Sequence, residues 1–221
     1  MTPAPVTVWG RKRSAEWRAA RARRRRRPVV HTEDGFLRSV RTGAEGEPAL
    51  SHVLDRRGIY YDATSASDLE VMIESGEGAH PDLLARAEVG MARLRERRLS
   101  KYNAAPWRTP AALGLEPGGD NVLVVDQTAG DLSIGYGLAG AVSFDHMLET
   151  ARREHPAATL VVKTHPAVAA GERRGHFQGL AEAPGLRVIG EPVNPWALLE
   201  ACHTVFTVTS QLGFEALMAG A

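Results

Sequence analysis

The sequence predicts an α/β fold made of two Rossmann-like halves with parallel sheets, the second half incomplete. Three observations carry this. Short apolar runs such as Val122-Leu123-Val124-Val125 alternate with segments of helical periodicity. The residues after those runs are chemically able, as expected where ligands sit beyond the carboxyl ends of parallel strands. A polar stretch rich in Pro and Gly, Asn103 to Asp120, divides the chain. The division gives an N-terminal half over residues 1–110, a linker over 111–120 and a C-terminal half over 121–221.

Each element has a local reason. Val6-Thr7-Val8-Trp9 reads as the first strand, and Arg11 to Arg27, with Ser14 near its start and Pro28 as its stop, as a helix. Val29-Val30-His31 is the second strand and Leu54 to Tyr61 a third strand-like piece. Ser67 caps a helix through Ile73; His80-Pro81 opens a longer one through Leu83, Leu84, Ala87, Met91 and Leu94 to Leu99. Beyond the linker, Asn121 to Val125, Thr159 to Val162, Leu186 to Ile189 and Thr204 to Val208 are strands. Phe144 to Glu154 is a helix, Asn194 caps another with Pro195 in its first turn, and Leu212 to Ala219 begins the last.

Composition narrows the function classes. A chain of 221 residues can bury a sizeable core without staples. One cysteine, Cys202, excludes an internal disulfide framework and a multi-cysteine metal site, and points to a reducing compartment, the cytoplasm by default. Met1 to Lys12 lacks the apolar region of a signal peptide, and no stretch reaches the apolar length of a membrane span. A net charge of +1 conceals a dense cationic run ending in Arg23-Arg24-Arg25-Arg26-Arg27. Its basic face, Arg21 to Arg27 above all, is either solvated surface or a contact for anionic lipid headgroups at a membrane periphery. Nucleic acid is set aside, since no aromatic platform accompanies the arginines.

Four strand ends carry the chemistry. Glu33-Asp34-Gly35-Phe36-Leu37-Arg38-Ser39 puts two carboxylates, a turning glycine, a cation and a hydroxyl into one loop. Asp126, at the tip of a fully apolar strand, is followed by Gln127, Thr128, Asp131 and Ser133; it is a reactive group or the cap of the next turn. Lys163 and His165 flank one residue, so they can offer a charge and a ring N–H to a phosphate, or be a surface lysine and a core histidine. Ser210, Gln211 and Gly213 open a helix, which is an anion site or ordinary capping, and Gly213 permits close approach. Glu215, one turn on, can accept from both hydroxyls of a ribose or merely complement the helix dipole. Arg38 can pair with a sugar carboxylate, or hold the Glu33-Asp34 loop by a salt bridge.

These blocks, with Asp55-Arg56-Arg57-Gly58-Ile59-Tyr60-Tyr61-Asp62-Ala63-Thr64, Ser100 to Asn103 and Asn194 to Leu199, resemble the KpsC-like retaining β-Kdo glycosyltransferases of bacterial capsule polysaccharide biosynthesis. The Glu33-Asp34-Gly35, His165-Pro166 and Ser210 motifs are also similar to those of GT-B enzymes that use cytidine-monophosphate sugars. The resemblance implies a GT-B-like fold and transfer of Kdo, an eight-carbon acid sugar, from CMP-Kdo to a Kdo residue on a lipid-anchored acceptor, with retention. Export machinery for capsule is an implied partner. Double displacement needs a nucleophile and an acid/base: Asp126 and Glu33 are assigned, with Asp131 in reserve. Lys163, His165 and Ser210 would meet the leaving phosphate, so no metal or other cofactor is expected.

Relatives in this family continue past Ala221, so the chain reads as a truncated single module, and Gly135 stands where an arginine is expected. Two other readings stay open: a GT-B transferase using another CMP-activated acid sugar such as sialic acid, and a non-catalytic capsule assembly or export protein that binds lipid-linked saccharide.

Overall fold

The computed structural model describes residues 3–221. The N-terminal sheet has the order β1 (Val6–Trp9), β2 (Val29–Asp34), β3 (His52–Asp55). β1 and β2 run parallel through α1 (Arg13–Arg24), whose Ala15, Ala19 and Ala22 are buried and whose Ala15 and Ala19 pack with Val8. The helix stops before Pro28 because Arg26 takes the left-handed conformation, with φ of 53°. β3 departs from the expected all-parallel pattern: it pairs antiparallel with β2, placing Val53 beside Glu33 and His52 beside Asp34. The strand expected through Tyr61 ends at Asp55 for a local reason. The Asp55 carboxylate accepts the N–H groups of Arg57 (2.9 Å), Gly58 (2.8 Å) and Asp68 (3.1 Å), so its side chain folds the following turn.

Two helices follow. α2 (Asp68–Glu74) starts at a reciprocal capping box between Ser67 and Glu70, and α3 (Pro81–Arg97) starts at Pro81. Met91 and Leu94 of α3 pack against the core of the C-terminal half. In the 111–120 stretch, a 3-10 turn over Ala111–Leu113 puts Leu113 into that same core, with Leu115 beside it.

The C-terminal sheet comprises β4 (Asn121–Val125), β5 (Thr159–Lys163), β6 (Leu186–Ile189) and β7 (Thr204–Phe206), all parallel. Its helices are α4 (Leu132–Tyr136), α5 (Ala141–Glu154), α6 (Pro166–Ala169), α7 (Pro195–Leu199) and α8 (Leu212–Ala219). Every residue of β4 is buried, because apolar clusters lie on both faces: Leu123, Val125 and Val161 face Trp196 and Leu198, whereas Val122, Val124 and Val162 face Phe144 and Leu148. β7 ends two residues earlier than expected, since the Thr207 hydroxyl accepts the Ser210 N–H at 3.2 Å and turns the chain.

The strand order is β6-β5-β4-β7. The chain winds outward from β4 through β5 to β6 and then crosses to the other side for β7. The crevice between the carboxyl ends of β4 and β7 is therefore the topological switch point, the place where open α/β sheets hold ligands. The architecture is α/β, with the two Rossmann-like halves of a GT-B-like fold. Among the described residues, no helix is long and apolar enough to cross a membrane.

Candidate active site

β2 delivers Glu33 and Asp34 to the cleft. Glu33 Oε2 and the Tyr61 hydroxyl both lie against Gly10, where an added Cβ would meet them, and Glu33 Oε1 accepts the Asp34 N–H at 3.1 Å. Gly35 is required by space: a Cβ there would collide with Ser51. Arg38 takes the loop-holding role rather than a free one. Its Nε binds Asp34 Oδ1 at 2.9 Å, and its Nη1 donates to Ser39 Oγ (2.8 Å) and the Glu47 carbonyl (2.9 Å). Ser39 is buried, its hydroxyl donating to the Arg41 carbonyl. Arg38 Nε and Nη1 are thus engaged in holding the loop, the salt-bridge reading of this residue.

The Asp55 to Thr64 motif builds the neighbouring wall. Ile59 is fully buried, the Tyr61 hydroxyl accepts the Arg11 N–H at 3.0 Å, and Asp62 pairs with Arg11 while capping Thr64. Tyr60 stays 40% exposed. Burial, with the charges of Glu33, Asp34 and Asp131, pushes its hydroxyl up to about 12, so it is a neutral donor between the two halves.

On the C-terminal side Asp126 is 5% exposed. Its Oδ1 is clamped by the N–H groups of Gln127 (2.8 Å) and His176 (3.0 Å), while Oδ2 is buried without a partner. Leaving such an oxygen unsatisfied costs about 1–3 kcal/mol. Gln127 ties β4 to the segment after β7: Thr209 N donates to its Oε1 at 2.9 Å, and its Nε2 donates to Thr209 Oγ1 at 2.9 Å. Ser133 Oγ lies 3.1 Å from the same Thr209 hydroxyl. Asp131 caps α4 by accepting the Ser133 N–H at 2.9 Å. It also lines an open pocket of 560 Å³ with Thr64, Gly135, Tyr136 and His176. Gly135 has open space where a side chain would stand.

β5 ends at Lys163, whose ammonium donates to the carbonyls of Thr164 (2.6 Å) and Ile189 (3.3 Å) and which burial pushes down to about 8. His165 Nδ1 accepts the Ala167 N–H at 3.2 Å, which leaves the ring proton on Nε2. Burial, then Lys163, then Arg173 lower its pKa.

Gly213 makes its close approach to Thr207 of the preceding turn. Glu215 is 2% exposed, its Oε1 accepting from Ser100 Oγ (3.0 Å) and Gln211 Nε2 (3.2 Å), so it joins α8 to the end of α3 instead of facing a ribose. Gln211 Nε2 also donates to the Phe36 carbonyl at 3.0 Å, linking α8 to the Glu33 loop. Ser210 Oγ accepts the Leu212 N–H at 3.3 Å, ordinary capping.

The cleft thus gathers Glu33, Asp34 and Tyr60 from one half with Asp131, Asp126 and His165 from the other; Asp131 acts electrostatically on both Tyr60 and His165. The sequence did not announce the part of His176, or the roles of Thr209 and Gly175, because lone residues in irregular loops have no periodicity. The family model described as "Capsule polysaccharide biosynthesis protein" matches residues 4–221. The chain belongs to this family.

The chain is similar to capsule polysaccharide modification protein LipA of Neisseria meningitidis serogroup B, 40% identical over 218 residues, or 97% of this chain and 31% of LipA. The lipopolysaccharide-processing protein LpsZ of Rhizobium meliloti is 34% identical over 98% of this chain and 49% of its own length. The chain spans less than half of either relative. Among solved structures, the β-Kdo 2,4 transferase of Thermosulfurimonas dismutans KpsC superposes with a TM-score of 0.90 at 40% identity, covering 97% of this chain and 66% of that one. Its β-Kdo 2,7 transferase superposes with a TM-score of 0.62 at 25% identity, covering 98% and 62%.

Proposed function

We propose that this chain is the transferase module of a capsule enzyme that moves Kdo from CMP-Kdo to a Kdo residue on a lipid-linked acceptor, with retention. The observation that carries the reading is the likeness to the β-Kdo 2,4 transferase over 97% of the chain. The weaker likeness to the 2,7 transferase favours the 2,4 linkage.

In the first displacement, Asp126 Oδ2, the unpartnered oxygen, attacks the anomeric carbon and CMP departs with the bonding electron pair. Gly175 packs directly against Oδ2, where any Cβ would collide, so the sugar reaches this oxygen only if the segment carrying Gly175 moves aside. In the second, Glu33 takes the proton of the acceptor hydroxyl, which attacks the same carbon and releases Asp126 as a carboxylate. Two inversions restore the configuration. Asp131, on the pocket wall, is the alternative nucleophile. Lys163 and His165 balance the departing phosphate, and no metal is assigned to the step.

The lipid-linked acceptor places this work at the cytoplasmic face of a membrane, where partners of the export machinery would meet it. The face of α1 opposite its buried alanines supports a peripheral contact: Trp17 is 65% exposed, flanked by Arg13, Arg21 and Arg24, which form no ion pairs among the described residues. Co-sedimentation with phosphatidylglycerol vesicles, lost in Arg21→Glu/Arg24→Glu, is the expected result; equal sedimentation with phosphatidylcholine alone would remove the contact.

Intact-protein mass spectrometry after incubation with CMP-Kdo tests the reaction. An added Kdo mass, absent in Asp126→Ala and retained in Asp131→Ala, is expected. Loss only in Asp131→Ala would exchange the two roles, and no adduct with no CMP release would leave a saccharide-binding component of capsule assembly.

A further inference from the structure

Glu172 to His176 crosses the carboxyl end of β4 as a strap laid over Asp126. Two hydrogen bonds hold it to the segment that follows β4: Ala129 N donates to the Arg174 carbonyl at 2.8 Å, and His176 N donates to Asp126 Oδ1 at 3.0 Å. Gly175 bridges Thr128 and presses on Asp126 Oδ2, so the carboxylate, 5% exposed, lies beneath this segment. The His176 ring stacks on Phe144, centroids 3.7 Å apart and planes 1° apart. Its Nε2 is buried without a partner, so packing on Phe144 rather than a hydrogen bond from that nitrogen holds the ring.

The two ends of the strap differ. Gly171 precedes it in the left-handed conformation, with φ of 75° and open space where a side chain would stand, which suits a hinge. Phe177 follows it, 6% exposed in the apolar cluster that holds Phe144, and anchors the far end. The closed form is opposed from within: Asp126 Oδ2 and His176 Nε2 are both buried without partners, and both regain water when the strap lifts. Lifting also takes the His176 N–H away from Oδ1 while the Gln127 N–H stays, so the carboxylate that emerges is less stabilised and more nucleophilic.

We infer that the strap is a lid, hinged at Gly171 and latched by His176 on Phe144, which conceals Asp126 until it lifts to admit the sugar. The inference rests on Asp126 as the nucleophile of the proposed reaction and adds the step that precedes attack. While the lifted form is a minority, its fraction scales two quantities: hydrogen exchange of the strap amides, and the rate of attack on a donor well below saturation. A change in the latch therefore moves both by the same factor.

Amide exchange followed by NMR, and adduct formation followed by intact-protein mass spectrometry at limiting CMP-Kdo, read these two quantities. The Ala129 and His176 amides are expected to exchange faster than that of Val124, which is fully buried in β4. His176→Ala should speed strap exchange and adduct formation alike, on the order of tenfold, and leave Val124 unchanged. His176→Phe keeps a ring on Phe144 and removes the unpartnered nitrogen, so it should slow both. Val124 is the control for folding: a variant in which it also exchanges faster is destabilised as a whole, and His176→Phe then decides. Strap amides that exchange at the Val124 rate in every protein overturn the inference, as does strap exchange that shifts while adduct formation does not. An adduct in no protein, with exchange shifting as expected, removes the donor reading and leaves the lid over Asp126 standing.

Discussion

The two halves reach order by different means. The C-terminal half is held by apolar clusters on both faces of a parallel sheet, with Phe144, Leu123, Val161 and Leu198 among the fully buried side chains. The N-terminal half buries few large apolar groups, Val8 and Ile59 chief among them, and relies on carboxylates that fold turns: Asp55 under Arg57 and Gly58, Asp62 under Thr64 and beside Arg11. The first kind of order is non-directional and tolerant of solvent conditions. The second depends on ionisation and on particular N–H groups, so it positions Tyr60 and Glu33 tightly but yields to acid.

A pair of substitutions separates these two kinds of order. Phe144→Ala should cost the most, about 3–5 kcal/mol, since it opens a cavity and removes the ring on which His176 stacks; the midpoint of urea unfolding measures it. Asp62→Ala should cost about 3 kcal/mol at neutral pH, because Arg11 loses its buried partner. Burial alone would raise the Asp62 carboxyl, but the Thr64 hydroxyl and N–H and the Arg11 guanidinium outweigh it and hold it below the usual carboxylate range. A depressed folded value means stability present above the unfolded pKa and lost as pH falls through the folded one. The cost of Asp62→Ala should therefore shrink in acid while that of Phe144→Ala persists; equal pH profiles would erase the contrast.

A smaller effect sits at the seam between the halves. Burial raises the Glu215 carboxyl, against the hydrogen bonds from Ser100 and Gln211. Here the folded state keeps its proton longer than the unfolded chain, so stability falls as pH rises above the ordinary glutamate range. Glu215→Gln keeps a carbonyl oxygen for Ser100 and Gln211 and should flatten the decline of Tm with pH. An unchanged slope would place the pH dependence elsewhere.

The C-terminal sheet was legible in the sequence because an apolar run such as Val122 to Val125 admits few fates, and the starts of α2 and α7 because Ser67 and Asn194 cap where capping chemistry says they should. What escaped was decided by partners distant in the chain. Nothing near Leu54 reveals that β3 pairs antiparallel with β2, and nothing in Glu215 reveals that Ser100, 115 residues away, accounts for one of its oxygens. Arg38 offered two readings, and the choice was made by Asp34 together with the Glu47 carbonyl. The short helix α4 was missed since five residues including Gly135 show no period. The carboxylates of the cleft were visible as residues, but their unequal surroundings, Asp131 on a pocket wall and Asp126 under a strap, belong to the tertiary structure.

The doubled hydrogen bond between Gln127 and Thr209 has a consequence for redesign. It welds the tip of β4 to the turn after β7, so position 209 has no freedom of its own. A library that diversifies the Ser210 side of the crevice must vary position 127 in concert. If it does not, each new residue is judged on a broken weld before it is judged on the ligand it admits.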